Sequence, residues 1–161
     1  RHQHYYSPYT IMLIDVDHMR AINQNYGEHI GDLSLIQITK ILKSAIYPTD
    51  VLCRYESDCF ALILPEVYEQ GANITAEHIR NTISEHVFKI NEFKFGITVS
   101  IGFTMVQKSQ PLRNELQCVD FAVQQAKQAG RNQVRYCAPE KNKAETYKLK
   151  YFKESDLKFI D

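Results

Sequence analysis

Apolar positions along the chain fall into short blocks whose spacing alternates between that of a strand and that of a helix. Residues 10–17 form a nearly unbroken apolar run ending on Asp15 and Asp17. Its length and β-branched content predict a strand buried on both faces, as in α/β or α+β sheets. Residues 18–26 predict a short helix, stopped by Asn25, Tyr26 and Gly27. A second helix is expected from about Asp32 to Tyr47, with Leu35, Ile36, Ile38, Ile41, Leu42, Ala45 and Ile46 on its apolar side and Pro48 ending it. Two strands, Asp50–Tyr55 and Cys59–Leu64, are separated only by Glu56, Ser57 and Asp58, which predicts a tight hairpin. Helical spacing returns over Gln70–His86, through Ala72, Ala76, Ile79 and Ile83. Phe95–Val106 predicts a strand, Glu115–Ala129 a helix with Gly130 as its C-terminal cap, and Gln133–Cys137 a last short strand. The expected order is β-α-α-β-β-α-β-α-β, one domain over residues 1–138. Residues 139–161, rich in lysine and glutamate, are expected to be a charged tail, linker or peripheral helix, with Tyr147, Leu149, Tyr151, Phe152, Leu157, Phe159 and Ile160 able to dock part of it.

Composition narrows the function more than the fold. The chain has 161 residues, enough for one domain with a proper core. Lys plus Arg equals Asp plus Glu at 19 each, so bulk charge gives no reason to expect a nucleic-acid or membrane surface, and an anionic ligand needs a local site. No apolar run approaches the ~20 residues that span a bilayer, and no signal peptide is visible. The chain opens on Arg1 and not on methionine, and the expectation is a domain of a larger or membrane-anchored protein. The four cysteines (Cys53, Cys59, Cys118, Cys137) show neither a C-x-x-C pair nor zinc spacing. Cys53 and Cys118 read as small core residues, and a reducing, cytoplasmic setting is expected.

Three groups of residues offer chemistry. Asp15 and Asp17 stand at the carboxyl end of the first strand, where carboxylates commonly hold Mg²⁺, and Asp58 on the hairpin adds an oxygen; magnesium needs one or two protein carboxylates plus substrate phosphates, so Asp15 and Asp58 suffice. The alternative is that both are simply solvated. Asn23 and Asp32 flank the turn after the first helix, where an amide and a carboxylate can read the edge of guanine; Asp32 also reads as an N-cap and Asn23 as a helix-end residue. Lys127 and Arg131 are expected one turn apart on the last helix, suited either to gripping a polyphosphate or to complementing the helix dipole.

These pieces, in this order, resemble the GGDEF family of diguanylate cyclases over roughly Tyr9–Tyr136. Residues 13–23 resemble its D-x-D-x-F-K-x-x-N segment, and Tyr26, Gly27, Gly31 and Asp32 its Y-G-H-x-x-G-D. Residues 54–60 occupy the R-Y-G-G-D/E-E-F hairpin; residues 99–102 and 126–132 resemble V-S-I-G and A-K-x-x-G-R-N. The resemblance implies an α+β, ferredoxin-like fold akin to nucleotidyl cyclases and polymerase palms, a central, mostly antiparallel sheet flanked by helices. It implies a reaction in which two subunits each bind GTP and Mg²⁺ activates one 3′-hydroxyl for attack on the other α-phosphate. Carried over by position, Asp15, Asp58 and the Val16 carbonyl would hold metal, Asn23 and Asp32 guanine, and Lys127 and Arg131 phosphate.

The chain departs from the pattern at the hairpin. Glu56 and Ser57 replace two glycines, whose freedom at positive φ lets a phosphate approach the backbone. Glu56 adds a like charge near a triphosphate, worth about 4 kcal/mol before screening. Cys59 replaces the second acid, and a protonated thiol is a poor oxygen substitute at Mg²⁺. Loss of electrostatic stabilisation alone costs ~10²–10³ in rate. His18 and Met19 alter the wall of the expected base pocket. Residues 47–50 lack the arginine of the R-x-x-D product-inhibition site. The expectation is a catalytically inactive domain with the degenerate signature Glu56, Ser57, Asp58, Cys59, Phe60. It would act as a regulatory or GTP-binding module in bacterial cyclic di-GMP signalling. Its expected partners are GTP or another guanine nucleotide, a signalling domain such as EAL in cis or trans, and a second copy of itself, with no nucleic acid. A weakly active diguanylate cyclase is the alternative. A phospho-acceptor receiver fold also puts carboxylates after a first strand, but the hairpin and the Lys127/Arg131 segment argue against it.

Overall fold

The computed structural model describes residues 7–55, 58–107, 113–138 and 157–160, so the expectations placed on Glu56, Ser57 and most of the tail lie outside the described residues. The chain runs β1 (Tyr9–Val16), α1 (Met19–Tyr26), α2 (Glu28–Ser44), β2 (Val51–Tyr55), β3 (Cys59–Pro65), α3 (Glu69–Glu85), β4 (Phe88–Ile90), β5 (Phe93–Phe95), β6 (Val99–Val106), α4 (Arg113–Gln128), β7 (Val134–Tyr136) and β8 (Leu157–Phe159). Six strands form one sheet in the order β7-β6-β1-β3-β2-β8, and β4 pairs with β5 separately. Among the described strands of that sheet only β6 and β7 run parallel. β1 therefore sits inside the sheet, buried on both faces as its unbroken apolar run predicts.

Alternation along the strands divides the core in two. Met12, Ile14 and Val16 of β1, with Phe60, Leu62 and Leu64 of β3 and Val99, Ile101 and Phe103 of β6, face the apolar sides of α1, α2 and α3. Ile11 and Leu13, with Cys53, Tyr55, Cys59 and Ala61, face α4 through Val119 and Val123. On that second face α4 lies almost on the backbone of β6: a Cβ at Gly102 would stand 2.6 Å from the Val123 nitrogen and 2.8 Å from the Val119 oxygen. Gly102 is thus required by close approach. Gly102→Ala is expected to cost about 3 kcal/mol by overpacking, read as a lowered urea midpoint; a loss under about 0.5 kcal/mol would show that α4 has slack there.

Several expectations are corrected. Helix α2 begins at Glu28 behind Gly27, whose φ of 97° only glycine adopts freely, so Asp32 lies inside the helix and is not its N-cap. The same helix ends at Ser44, ahead of Pro48, where the Ser44 hydroxyl bonds back to the Ile41 carbonyl. The strand expected over Phe95–Val106 begins at Val99 as β6; Phe95 instead ends β5, whose hairpin with β4 was not expected and turns at Asn91, φ 52°. The tail is not wholly peripheral or helical: Leu157–Phe159 pairs with β2 at the sheet edge. Cys118, expected as a small core thiol, is bonded to Cys137, tying α4 to the residue after β7. The compartment expectation drawn from unpaired cysteines loses that support. Among the described residues, no helix is long and apolar enough to cross a membrane.

Candidate functional site

Both carboxylates at the end of β1 point toward α4, but they are used differently. Asp17, 3% exposed, accepts from the Thr98 hydroxyl at 2.7 Å, the Ser100 hydroxyl at 2.6 Å and the Asn132 amide at 3.1 Å. It ties β1 to β6 and to the loop after α4. That loop needs such a tie. Helix α4 closes in a Schellman arrangement, with the Arg131 amide on the Ala126 carbonyl and the Gly130 amide on the Lys127 carbonyl. Arg131 and Asn132 then both sit at positive φ, 64° and 47°, which non-glycine residues adopt only when held.

Asp15 is 2% exposed and forms an ion pair with Lys127 in the last turn of α4. Its neighbours across the sheet are Cys59 on β3 and Ser100 on β6. Burial pushes the Asp15 carboxyl up to about 6; the Lys127 ammonium opposes this, and Asp58 and Asp17 add to it. Burial also pushes the Cys59 thiol well above its usual range, with the Asp15 charge next in effect, so Cys59 stays protonated.

The raised Asp15 pKa has a sign for stability. Between pH 3.8 and about 6 the folded protein holds a proton at Asp15 that the unfolded chain releases. This contribution to stability is fully present below 3.8 and lost as pH rises through about 6. The two-unit difference corresponds to about 3 kcal/mol. Asp15→Asn is expected to abolish that limb of the stability–pH curve; an unchanged limb would place the titration on another group.

The other expected residues are distributed over the same end of the sheet. Asn23, Asp58, Met19, Arg20, Gln24 and Glu28 line a cavity of about 360 Å³ beside α1 and α2. Asn23 and Asp58 are therefore brought together. Asp58 also accepts the Val16 amide through its carbonyl, at 2.9 Å, which fixes the end of β1 to the start of β3. Asp32 is exposed on α2 and is not among those lining residues. The shared helix face that the spacing of Lys127 and Arg131 predicts is not formed, because α4 ends at Gln128 and Gly130 turns the chain. Lys127 points at Asp15; Arg131 is exposed on the left-handed loop. Asp50, in the window where product inhibition was considered, is used locally, accepting the Tyr47 amide at 2.8 Å.

Four roles were not read from the sequence: two participants were missed, and Cys59 and Gly31 were named without the placement that makes them matter. Arg20 and Glu28 line the cavity, though neither belongs to a recognisable spacing. The orientation of Cys59 toward Asp15 needed the register, since a one-residue slip would have turned it to the other face. Gly31 is the fourth: a Cβ there would overlap Oδ1 of Asn23 and come within 2.9 Å of the Met19 methyl. The glycine of the G-D pair thus makes room for the Asn23 amide. Gly31→Ala is expected to swing Asn23 out of place and weaken any ligand of this cavity by about ten-fold or more; unchanged ligand affinity would remove Asn23 from the site.

Whether a hard divalent cation fits can be judged from the donors. Magnesium wants oxygen ligands in near-octahedral array. On the face that Asp15 presents, the opposing β3 side chain is a protonated thiol, the oxygens of Asp17 carry three donors, and Lys127 already neutralises Asp15. Asp58 lies by the cavity of α1 and α2, near enough to Asp15 and Cys59 for its charge to act on both. Among the described residues no group of three His, Cys, Asp or Glu side chains is arranged to hold a metal. Asp15 and Asp58 are the two carboxylates that could hold Mg²⁺ together with substrate phosphates, and Lys127 already meets the first of them.

Layering and strand order define the class: an α+β domain with a mostly antiparallel sheet flanked by helices. Comparison with known proteins gives the family. The model described as diguanylate cyclase, GGDEF domain, matches residues 1–133, and the chain belongs to the GGDEF family. It is 30% identical over 131 residues to the probable diguanylate cyclase DgcT of Escherichia coli (strain K12), covering 80% of this chain and 29% of that protein. It is 31% identical over 126 residues to diguanylate cyclase A of Treponema denticola, covering 78% and 34%. The chain thus spans about a third of the length of these curated relatives. Among solved structures, the active GGEEF domain of a diguanylate cyclase from Vibrio cholerae superposes with a TM-score of 0.74 at 26% identity, covering 84% of this chain and 85% of that one. The coiled coil and GGDEF domain of DgcB from Caulobacter crescentus, in complex with c-di-GMP, gives 0.77 at 25% identity, covering 81% and 70%.

Proposed function

We propose that this GGDEF domain binds a guanine nucleotide without converting it to cyclic di-GMP, and serves as a regulatory module within a longer cyclic di-GMP signalling protein. One observation carries the reading. The residue facing Asp15 across β1 and β3 is a buried, protonated Cys59, where the active Vibrio cholerae relative is described by the signature GGEEF. Activation of a 3′-hydroxyl beside an α-phosphate needs developing negative charge to be held by a fixed cation or dipole. Asp15 is already paired with an ammonium, and Cys59 adds no second carboxylate beside it to hold such a centre. Ligand binding makes smaller demands. The cavity beside Asn23 and Asp58, kept open by Gly31, supports recognition of a base, and Arg131 on its exposed loop stands ready for phosphate. Asp32 is assigned to guanine only if the base extends past the cavity wall toward α2. Partner domains such as EAL, or a second copy of the chain, would read the nucleotide-bound state.

The test is calorimetry of the purified domain with guanosine triphosphate, followed by chromatography of the same mixture after incubation with Mg²⁺ or Mn²⁺. Saturable binding with nucleotide recovered intact is the expected result. Cyclic di-GMP that disappears in Asp58→Ala would establish the weak cyclase instead.

A further inference from the structure

We infer that Arg80, on α3, is a positioning residue for the loop that carries Arg131. It holds Asn132 from the helix side as Asp17 holds it from the sheet side, and so aims Arg131 at a nucleotide phosphate. The inference rests on the nucleotide reading above and adds the device that orders the phosphate end of the site. It starts from the backbone. Residues 130–132 run through three successive positive φ values, 118°, 64° and 47°, and only the first belongs to a glycine. Arg131 and Asn132 keep such angles only where surrounding bonds over-determine them.

Those bonds converge on Asn132. Its backbone amide donates to Asp17 at 3.1 Å, which fixes the loop to the end of β1. Its side-chain oxygen accepts from Nη1 of Arg80 at 3.0 Å, which fixes it to α3, 52 residues away in the sequence. Next along the chain, the Gln133 carbonyl accepts the Ile101 amide at 3.0 Å, and the Gln133 side chain donates to the Arg131 carbonyl at 3.1 Å. Sheet and helix thus grip the same residue by its two ends, with Arg131 directly before it.

Arg80 is itself set in place before it reaches the loop. Its Nε and Nη2 both donate to one oxygen of Glu77, at 3.0 and 2.9 Å, and Nη2 also donates to Asn81 at 2.9 Å. With the bond from Nη1 to Asn132, four of its five N–H groups are engaged. The guanidinium is planar, so pinning one edge on Glu77 directs Nη1 at Asn132. An i, i+3 ion pair at a half-exposed surface stabilises little by itself, so the use of this one is orientation. The Arg80 side chain is 18% exposed and committed to protein partners, whereas Arg131 is exposed to solvent. Arg80 is therefore the bracket and Arg131 the phosphate ligand.

The test compares affinities for guanosine triphosphate, by calorimetry, in the unaltered chain, Arg80→Ala, Arg131→Ala and the double variant, each confirmed folded by circular dichroism. Each single variant is expected to bind about five-fold more weakly, and the double variant to match Arg131→Ala within about two-fold, because Arg80 acts through Arg131. Arg80→Lys, which keeps the charge and loses the fork, is expected to behave as Arg80→Ala does. Losses that multiply in the double variant, no loss in either single variant, or a lysine that binds as tightly as the original arginine would each overturn the inference and leave the nucleotide reading standing. Absence of binding by the unaltered chain would remove the nucleotide reading, and a second measurement then decides alone. Amide exchange of the nucleotide-free chain is expected to be about ten-fold faster at Arg131 and Asn132 in Arg80→Ala, with β1 and β6 unchanged. A loop as protected as before would show that Asp17 suffices to hold it, and would end the inference.

Discussion

Asp17→Ala is expected to lower the stability of the domain by about 4 kcal/mol, because three hydrogen bonds to one ionised carboxylate are lost together. Each such bond is worth about 1.5–3 kcal/mol net, and the gross sum is reduced because the carboxylate no longer has to be buried. The loss does not stop at the bonds. Ser100 is fully buried and its hydroxyl would be left without the acceptor it now has. Arg131 and Asn132 would have to keep their left-handed backbone with the Asn132 amide released. The loop should loosen before the sheet does. Amide exchange would report this as faster exchange at residues 130–133 than at β1, while urea denaturation gives the total. A loss under about 1 kcal/mol, with the loop as protected as before, would mean that Asp17 is replaceable by water. Asp17→Asn is no rescue, since half of its amide presents donors to donors.

The second large effect is expected at Lys127. Lys127→Met keeps the aliphatic length of the side chain but leaves Asp15, 2% exposed, without its counterion. Removing one partner of a buried pair costs about 3–5 kcal/mol, and the 24% exposure of the Lys127 side chain puts this case at about 3. The double variant Asp15→Asn/Lys127→Met separates the pair from packing. If the ion pair is the cause, the double variant recovers most of the loss, with a coupling of about 2 kcal/mol. If packing of the lysine stem is the cause, the double variant is as unstable as the single one.

Much of this was legible in the sequence, and the reasons differ from element to element. β1 announced itself because a strand buried on both faces needs an unbroken apolar run, and residues 10–16 supply it. α3 was equally plain, since Ala72, Ala76, Ile79 and Ile83 repeat at helical spacing. β4 and β5 were not, because three residues are too few to show alternation and the signal lies in the Tyr26–Phe95 stacking at 4.5 Å, which joins distant segments. β8 was missed for a related reason. A strand added at the sheet edge from the far end of the chain has no local mark beyond Leu157 and Phe159. The Cys118–Cys137 pairing follows only from the placement of α4 against β7.

At the site, the residue types were visible and their division of labour was not. Asp15 and Asp17 look alike on paper, two residues apart at a strand end. Position against β6 and the α4 loop makes Asp17 a clamp, and position against α4 gives Asp15 its lysine. Asn23 and Asp58 were named as members of different groups, yet they line one cavity. Spacing suggested a shared helix face for Lys127 and Arg131, and Gly130 at φ 118° defeats it by ending the helix between them. Gly31 and Gly102 carried no chemistry in the sequence. Each turns out to be a place where a methyl group would collide with the structure that the site depends on.

The account turns on a sulfur atom where an oxygen pair would complete the site opposite Asp15. Restoring the hairpin should therefore restore chemistry. The measurement is chromatographic detection of cyclic di-GMP after incubating GTP and Mn²⁺ with the unaltered chain and with the triple variant Glu56→Gly, Ser57→Gly, Cys59→Glu, each confirmed folded by circular dichroism. The account predicts no product from the first and measurable product from the second. Turnover by the unaltered chain, or a folded triple variant as silent as its parent, would contradict it.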